Sequence, residues 1–424
     1  MERITQTATF MKKLAFIILT ICLFVSFGFY PIDGYERTQI KRLLDIQHTL
    51  DKGEEYTRIP YGAFGSIEDI KLNLLPIAKT AVDDILTEDP EFAKAIQKIT
   101  PGGNYSLAIL DMTDPNNLKY AAHRENVGYQ PGSVGKIAVL NAVFYQLQKI
   151  YPDDFDARIA LLCNKIVDAR YWGTGDHHTV PIYDPITEKL TKRQVVASDK
   201  FTLFEWLDHM VSVSNNGAAS VMYREAMLMA AYGKDYPRLS LEDSEQYFVD
   251  TPRDTLTKLA NSVVNDPLRE LGISEDDWRL GGMFTNPAGK YVGRMGGSIG
   301  SPKGLMKYLV NLEQGKVIDT ASSLEMKRLM YSTDRRIRYA QSSRLDSARV
   351  YFKSGSFYSC DKPKSTPCGK YAGNRFNYMN SVITVEHPNG KKYIVCLMTN
   401  VLSKNSGSAH MYLASSIDRV ITNQ

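Results

Sequence analysis

The pattern of apolar and polar positions changes character several times along the chain. Residues 14–30, LAFIILTICLFVSFGFY, form an apolar run without any charge. From Asn104 onward the segments NYSLAILDM and LKYAAHRENVGY have the texture of β-strands, separated by the turn DPNN. The stretch SVGKIAVLNAVFYQLQKI then repeats apolar residues at the 3.6-residue period of a helix with one buried face. The pattern predicts two strands and then a helix that has Ser133 in its first turn.

The second half of the chain returns from helices to strands. Helical spacing dominates from about Phe201 to Met330, and RVYFKSGSF after it is strand-like. Two alternating runs in NSVITVEHPNGKKYIVCLMTN are joined by Asn389 and Gly390, which predicts a hairpin whose two turn residues have positive φ. A last helix, AHMYLASSIDRVI, follows. We therefore predict an α+β fold, with an antiparallel sheet formed by both ends of the domain, packed with helices, plus an all-helical block.

The N-terminal apolar run predicts export. Lys12 and Lys13 precede it and supply the positive region of a signal peptide, but the run also approaches the length of a membrane span. We predict that residues 1–30 are a signal peptide or an N-terminal membrane anchor, which places the protein in the periplasm or cell envelope. Residues 31–100, which include the amphipathic pattern YERTQIKRLLDIQHTL, form an N-terminal helical spacer or accessory region, and residues 101–424 form the functional domain.

Composition and cysteine placement narrow the classes of ligand. The net charge is +4 and the basic residues are scattered, which favours a small-molecule or peptide ligand over nucleic acid. Cys360 and Cys368 lie close together in a polar stretch, and an oxidising compartment would let them form a local disulfide. No C-x-x-C or zinc spacing occurs. His177 and His178, with Asp176 beside them, are neighbours in a glycine-rich stretch, which favours an exposed loop over a metal site. We therefore predict no cofactor.

Ser133 and Lys136 form the first element of a candidate catalytic site. Serine is also a preferred helix N-cap, so a purely structural role for Ser133 is the alternative. Positions i and i+3 share one face of a helix, which brings the lysine within reach of the serine hydroxyl. Such a lysine can take the hydroxyl proton if burial or cationic neighbours suppress its own charge.

Two further motifs follow Ser133 and Lys136 along the chain. VSVSNNGAAS supplies Ser214 and Asn216, a hydroxyl that can relay a proton and an amide that can hold a substrate carbonyl. FKSGS supplies Lys353, Ser354 and Gly355 on a strand, where the first two can receive a carboxylate and the glycine permits close approach of a ligand. A helix cap at Ser214 and an ordinary edge-strand lysine at Lys353 are the structural alternatives.

From about Tyr105 to its C-terminus, the chain resembles the class A serine β-lactamases and the related low-molecular-weight penicillin-binding D,D-peptidases. The segment YDPITEKLTK also is similar to the class A segment that precedes S-D-N. The resemblance implies a nucleophile, its base and a proton relay, which are Ser133, Lys136 and Ser214. It implies a substrate-binding set of Asn216, Lys353, Ser354, Gly355, Ser356 and Tyr183. The backbone N–H groups of Ser133 and Ser356 would form an oxyanion hole.

The chain departs from the class A pattern at three places. Class A enzymes carry E-x-x-L-N in a loop whose glutamate activates the deacylating water; Gly282 and Met283 stand near the expected position, and Asn286 matches the asparagine. Asn215 replaces the aspartate of S-D-N, and Asn380 stands where class A enzymes commonly have an arginine. Without the glutamate, acylation is expected to persist while deacylation is slow, unless another group activates water.

The preferred hypothesis is an exported serine hydrolase of the class A β-lactamase type, which opens β-lactam amides through an acyl-enzyme. One alternative is a D,D-carboxypeptidase or other peptidase acting on cell-wall peptides, which fits the missing glutamate. Another is a non-catalytic homologue that binds the cell wall. The expected partner is a β-lactam or a cell-wall peptide, with membrane contact only through residues 1–30.

Overall fold

A computed structural model describes residues 33–361 and 368–423. The strands are β1 Tyr105–Asp111, β2 Lys119–His123, β3 Ile166–Asp168, β4 Thr179–Asp184, β5 Lys189–Gln194, β6 Lys200–Thr202, β7 Trp278–Arg279, β8 Ile299–Gly300, β9 Arg349–Ser359, β10 Phe376–Glu386 and β11 Lys392–Asn400. The α-helices are α1 Gly34–Thr38, α2 Arg42–Asp51, α3 Val82–Ile85, α4 Pro90–Ile99, α5 Lys136–Ile150, α6 Phe155–Asn164, α7 Leu203–Val211, α8 Asn216–Tyr232, α9 Leu241–Asp250, α10 Arg253–Glu270, α11 Pro302–Glu313, α12 Thr320–Tyr331 and α13 Gly407–Thr422.

One five-stranded antiparallel sheet joins the two ends of the domain, in the order β2-β1-β11-β10-β9. Residues alternate between its faces, as the two-residue period of a strand requires. Leu107 and Ile109 of β1 pack into a core with α4 and α13, whereas Ala108 and Leu110 pack into the core of the helical block. The predicted α+β fold, with terminal segments sharing a sheet beside a helical block, is confirmed.

Helix α5 lies inside the helical block, in contact with α7, α8, α10 and α12. The sequence pattern predicted a single buried face, but the polar residues Asn141 and Gln146 are also buried, at 1% and 6% exposure. A helix surrounded by other helices buries most of its circumference, polar positions included, and here only Lys149 is exposed. The N-terminus of α5 is therefore a fixed point in the fold, and Lys136 is its first residue.

The hairpin between β10 and β11 is present, but its turn differs from the predicted one. Gly390 has a φ of 87°, whereas Asn389 does not have a positive φ. The backbone N–H of Gly390 donates to the carbonyl of His387, which closes a four-residue turn with Pro388 at its second position. Because proline fixes φ near −65°, it favours an ordinary turn over the two-residue hairpin turn that needs two positive φ values.

The segment YERTQIKRLLDIQHTL, predicted as one amphipathic helix, forms the two helices α1 and α2, with a break at Gln39, whose φ is 57°. It packs into the core of the main domain. Ile40 and Leu43 are buried in the same cluster as α5. Arg42, at 5% exposure, donates from Nε and Nη2 to the carboxylate of Asp208 on α7, at 2.5 and 2.6 Å. Its Nη2 also donates to the carbonyl oxygen of Ser332 at 2.6 Å. The division of the chain at residue 100 stays a prediction, but this segment shares a core with the helical block.

We expect Arg42→Ala to lower the free energy of unfolding by about 3–5 kcal/mol, because it leaves the buried carboxylate of Asp208 without its cation. Urea unfolding followed by circular dichroism measures the change. The control is Lys52→Ala, which removes a surface pair with Glu188 and should leave the transition where it is. Equal shifts in the two variants would contradict a structural role for the buried pair.

The remaining predictions concern the N-terminus and the cysteines, and only some of them fall on residues that the structure describes. The predicted signal peptide or anchor, residues 1–30, lies outside the described residues. Within the described ranges, no helix has the length and apolar character needed to cross a membrane. Cys360 and Cys368 form the predicted disulfide. Cys163 is half-buried and Cys396 is fully buried, as small hydrophobic residues would be.

Candidate active site

Ser133 lies in a short 3-10 turn, Gly132–Gly135, that leads into α5 and touches the edge strand β9. Gly132 has a φ of 55°, and a Cβ on it would lie 2.8 Å from the carbonyl oxygen of Ser356. A Cβ on Gly355 would lie 2.2 Å from the carbonyl oxygen of Pro131 and 3.0 Å from the amide nitrogen of Ser133. Glycines on both sides therefore let the turn and the strand meet backbone to backbone.

We expect Gly355→Ala to slow acylation of Ser133 and to cost about 1–3 kcal/mol of stability. The added Cβ would clash with the carbonyl oxygen of Pro131, and a backbone oxygen cannot move aside as a flexible side chain can. A matched control is Gly102→Ala, since a Cβ there meets nothing within 4 Å and the residue lies outside the cleft lining. Thermal unfolding and the rate of β-lactam adduct formation measure both effects. Wild-type acylation by Gly355→Ala would contradict the required close approach.

Lys136 connects the motifs. Its Nζ lies 2.7 Å from Ser133 Oγ, 2.6 Å from Asn216 Oδ1 and 2.9 Å from the carbonyl oxygen of Ser214. The side chain of Lys136 is fully buried, and this burial lowers its pKa to about 7, against an opposing effect of Asp176. Near neutral pH a large fraction of this lysine is uncharged and can accept a proton.

The helix-cap alternative for Ser133 is not what the structure shows. Neither the Gly132–Gly135 turn nor α5 has a side-chain cap hydrogen bond, and Ser133 Oγ accepts from Lys136 instead. Capping chemistry does occur at the second motif, where Asn215 Oδ1 accepts from the amide of Ala218 at the start of α8. The cap is thus the middle residue of S-N-N, which leaves the side chains of Ser214 and Asn216 to face the lysines.

Lys353 enters the site from β9 and is 2% exposed, unlike an ordinary edge-strand lysine. Its Nζ donates to Ser214 Oγ at 2.7 Å, and Lys136 Nζ lies 3.4 Å from the same oxygen. Burial lowers the pKa of Lys353 well below its ordinary value, and the charges of Lys136 and Arg338 lower it further. A bound carboxylate would raise that pKa again by supplying the missing negative charge.

The cleft has two parts that share Ser133. The inner part, about 320 Å³, is lined by Ser214, Lys353, Ser354 and Gly355 among others. The outer part, about 920 Å³, lies between residues 280–298 and the end of β9, and is lined by Asn216 and Ser356 among others. The three motifs, which are far apart along the chain, therefore converge on a single cleft. Their order in the sequence does not by itself require this.

Tyr183 does not line the cleft on which the three motifs converge. It lies on β4 at 3% exposure, and its hydroxyl lies 2.5 Å from His48 Nδ1 on α2. It is absent from the lining of both parts of the cleft, where His177, His178 and Thr179 stand instead. The β4–β5 hairpin packs against α2 and so directs this tyrosine towards the N-terminal segment. The assignment of Tyr183 as a cleft residue is corrected accordingly.

Two charged residues of the site were missed by sequence reasoning. Asp176 was placed in an exposed loop, but its side chain is 2% exposed and accepts from the backbone N–H of Asn216 at 2.6 Å and from His178 at 2.7 Å. Burial raises its pKa, but these hydrogen bonds outweigh burial and lower the pKa to about 2. Arg338 donates to the carbonyl of Gly355 at 2.6 Å and lines the inner cleft. No local motif marks either residue.

The cluster of Asp176, His177 and His178 offers ligand atoms within 4.8 Å of one another. Both carboxylate oxygens of Asp176 already accept hydrogen bonds from protein groups, from Asn216 and His178. His177 is 83% exposed. These contacts favour hydrogen bonding to the S-N-N motif over metal coordination.

The loop opposite Ser133 presents no carboxylate to the outer cleft among the described residues. Gly282, Met283 and Phe284 line it, and the ring centroid of Phe284 lies 5.1 Å from Lys136 Nζ. Asp277 is engaged elsewhere, by Ser274 and Ser301. Asn380 pairs with Gly355 in the sheet and donates to the carbonyl of Gln130, so it braces the segment before Ser133.

Comparison with known proteins identifies the family. The model of the β-lactamase enzyme family matches residues 91–422, and the chain belongs to that family. The structure is similar to the TLA-3 extended-spectrum β-lactamase, with 14% identity, a TM-score of 0.52 and coverage of 78% of this chain and 98% of that one. It is also similar to a class A β-lactamase from Bacteroides cellulosilyticus, with 16% identity, a TM-score of 0.50 and coverage of 78% and 97%.

A third similar structure is PBP-A, with 13% identity, a TM-score of 0.47 and coverage of 80% of this chain and 100% of that one. No curated protein sequence matches the chain. The resemblance predicted from the three motifs is thus confirmed for the family and for the fold. Family membership supports a hydrolase of the β-lactamase type.

Proposed function

We propose that the protein is an exported serine hydrolase, which opens the amide of β-lactams or of D-Ala-D-Ala-like peptides through an acyl-enzyme on Ser133. The observation that carries the proposal is the buried Lys136, whose Nζ lies 2.7 Å from Ser133 Oγ. Uncharged Lys136 takes the hydroxyl proton as Oγ attacks the substrate carbonyl. When the C–N bond breaks, the leaving nitrogen receives a proton through the hydroxyl of Ser214, which contacts both lysines.

The remaining residues would bind the substrate. Lys353 and Ser354 would receive the carboxylate on the leaving-group side, with Arg338 beside them in the inner cleft. The amide of Asn216 would contact the acyl-side amide. The N–H groups of Ser133 and Ser356, which the close approach of turn and strand brings near each other, would stabilise the oxyanion.

Two specific functions fit this chemistry. Membership in the β-lactamase family favours hydrolysis of β-lactams with turnover. The lack of a carboxylate among the described residues that line the outer cleft favours slow hydrolysis of the β-lactam acyl-enzyme, as expected for a peptidase whose natural substrate is a cell-wall peptide. The two functions differ in the lifetime of the same intermediate.

The test is the intact mass of the chain, without residues 1–30, over time after addition of a chromogenic β-lactam, beside Ser133→Ala. A serine-dependent adduct that clears with product release supports a β-lactamase. A persistent adduct supports a penicillin-binding peptidase. Absence of a Ser133 adduct together with absence of Ser133-dependent release of product from the β-lactam and of D-alanine from a D-Ala-D-Ala peptide would overturn the serine mechanism and favour the non-catalytic, cell-wall-binding homologue.

Export is a separate part of the proposal. Its support is the charged and apolar pattern of residues 1–30 and the Cys360–Cys368 disulfide, since such bonds persist in oxidising compartments. Cell fractionation with N-terminal sequencing tests it. Cleavage near residue 30 indicates a signal peptide, an intact N-terminus in the envelope fraction indicates an anchor, and recovery from the cytoplasm contradicts export.

A further inference from the structure

The outer cleft is strongly basic. Its lining contains Arg253, Lys290, Arg294 and Lys370 together with two histidines, and no aspartate or glutamate. Among the described residues, none of these four cations forms an ion pair with a carboxylate within 4.0 Å. By contrast, the whole chain is nearly balanced, with 51 basic and 47 acidic residues. The positive charge of the outer cleft is therefore a local feature.

These cations come from three separate segments of the chain. Arg253 begins α10, Lys290 and Arg294 belong to the loop opposite Ser133, and Lys370 follows the disulfide-closed loop after β9. Arg253 donates to the carbonyl of Gly289 at 2.8 Å, which ties the first segment to the second. Concave walls of one charge focus the electrostatic field on the space between them, so this wall attracts anions more strongly than scattered surface lysines would.

The placement of Lys353 indicates which half of a substrate meets this wall. Lys353 lines the inner cleft and is absent from the lining of the outer one, while Ser133 lines both. If Lys353 holds the carboxylate of the leaving group, the acyl half must extend from Ser133 in the other direction. The acyl half then lies against Arg253, Lys290 and Arg294, which line only the outer part, while Lys370 lines both parts.

We propose that the enzyme selects acyl donors whose acyl half carries one or more carboxylates, and specifically acidic peptides ending in D-Ala-D-Ala. This inference rests on the proposed acylation of Ser133 and adds the class of substrate. The acidic groups would lie within the outer cleft and replace the missing carboxylate partners of Lys290 and Arg294. A neutral acyl group of similar size gains none of this attraction.

The first test compares two β-lactams, benzylpenicillin and its α-carboxy derivative, which differ by one carboxylate on the acyl side. With the full chain at low salt, we expect several-fold faster acylation by the carboxy compound, and loss of that advantage at about 0.5 M salt because exposed charges are screened. The double variant Lys290→Ala, Arg294→Ala should lower the ratio of the two rates towards one. Lys234→Ala, an exposed cation outside the cleft lining, should keep the wild-type ratio.

The second test uses two peptides, Nε-succinyl-Lys-D-Ala-D-Ala and its succinamide counterpart, with release of D-alanine as the readout. Faster release from the succinyl peptide, lost in the double variant, supports the acidic-peptide assignment. A preference seen only with the β-lactams overturns that assignment. Equal rates within both pairs overturn the inference while the proposed function stands, whereas absence of any Ser133 adduct or D-alanine release overturns both.

Discussion

Lys136→Ala is expected to suppress acylation of Ser133 nearly as completely as Ser133→Ala does. The lysine is the proposed base and lies 2.7 Å from the serine oxygen, and loss of a general base typically costs about 10²–10⁴-fold in rate. Ser133→Ala removes the oxygen that is acylated, so it sets the background rate, and the double variant should show the same background. The rate of β-lactam adduct formation, followed by intact mass, measures all three.

Two further measurements separate a proton-accepting role from a structural one. Lys136→Arg keeps a positive charge but cannot be deprotonated, so it should remain as inactive as the alanine variant. In the wild type, acylation should fall as the pH drops below about 7, where Lys136 becomes protonated. Lys165→Ala, which removes a half-buried lysine that contacts the carbonyl of Leu239 away from the cleft, is the control. Acylation at the wild-type rate by Lys136→Ala would sink the assignment.

Gly282→Glu is expected to accelerate loss of the β-lactam acyl group by about tenfold or more, within the range of a positioned general base. Gly282 stands near the position where the sequence resemblance predicts the deacylating glutamate of class A enzymes, and it lines the outer cleft together with Ser133. A Cβ on Gly282 meets nothing within 4 Å, so the backbone position is open to a side chain. The decay of a preformed adduct, measured by mass after removal of free β-lactam, gives the rate.

Gly282→Gln is the matched control, because it has nearly the same size without the carboxylate. It should decay at the wild-type rate. Equal acceleration by both variants would point to a change in loop packing. No acceleration by Gly282→Glu would show that residue 282 does not face the acyl carbonyl, or that another group already activates water.

The parts of the site that could be predicted from sequence are those with short, local signatures. Ser133 and Lys136 are linked by helical spacing. Gly355 of the K-S-G strand was expected to admit a ligand, whereas in the structure it admits the turn that carries Ser133. Tyr183 was misplaced because the connection between the first two motifs is longer than in the class A pattern, so that a match along the chain does not imply a match in space. Asp176 and Arg338 were missed because each acts through long-range contacts that no spacing encodes.

For the fold, too, local patterns were predictable from sequence and long-range packing was not. Strand pairing at the two ends of the domain was predictable from alternation and from a hairpin, since both are local patterns. The burial of polar positions of α5 was not, because Asn141 and Gln146 carry no sign of the helices that surround them. The turn after β10 was misjudged because Asn389-Gly390 was considered without Pro388 before it.

Ser214 occupies a backbone position that suits a different amino acid. Its φ of 60° lies in the left-handed region, which costs a residue other than glycine about 1–3 kcal/mol. Glycine would remove that cost but would leave Lys353 without its hydroxyl partner. Stability and chemistry thus select opposite residues at one position. If a descendant of this protein no longer needed to turn over substrate, we would expect residue 214 to change to glycine before other residues of the cleft. The identity of residue 214 therefore indicates whether selection still acts on the cleft.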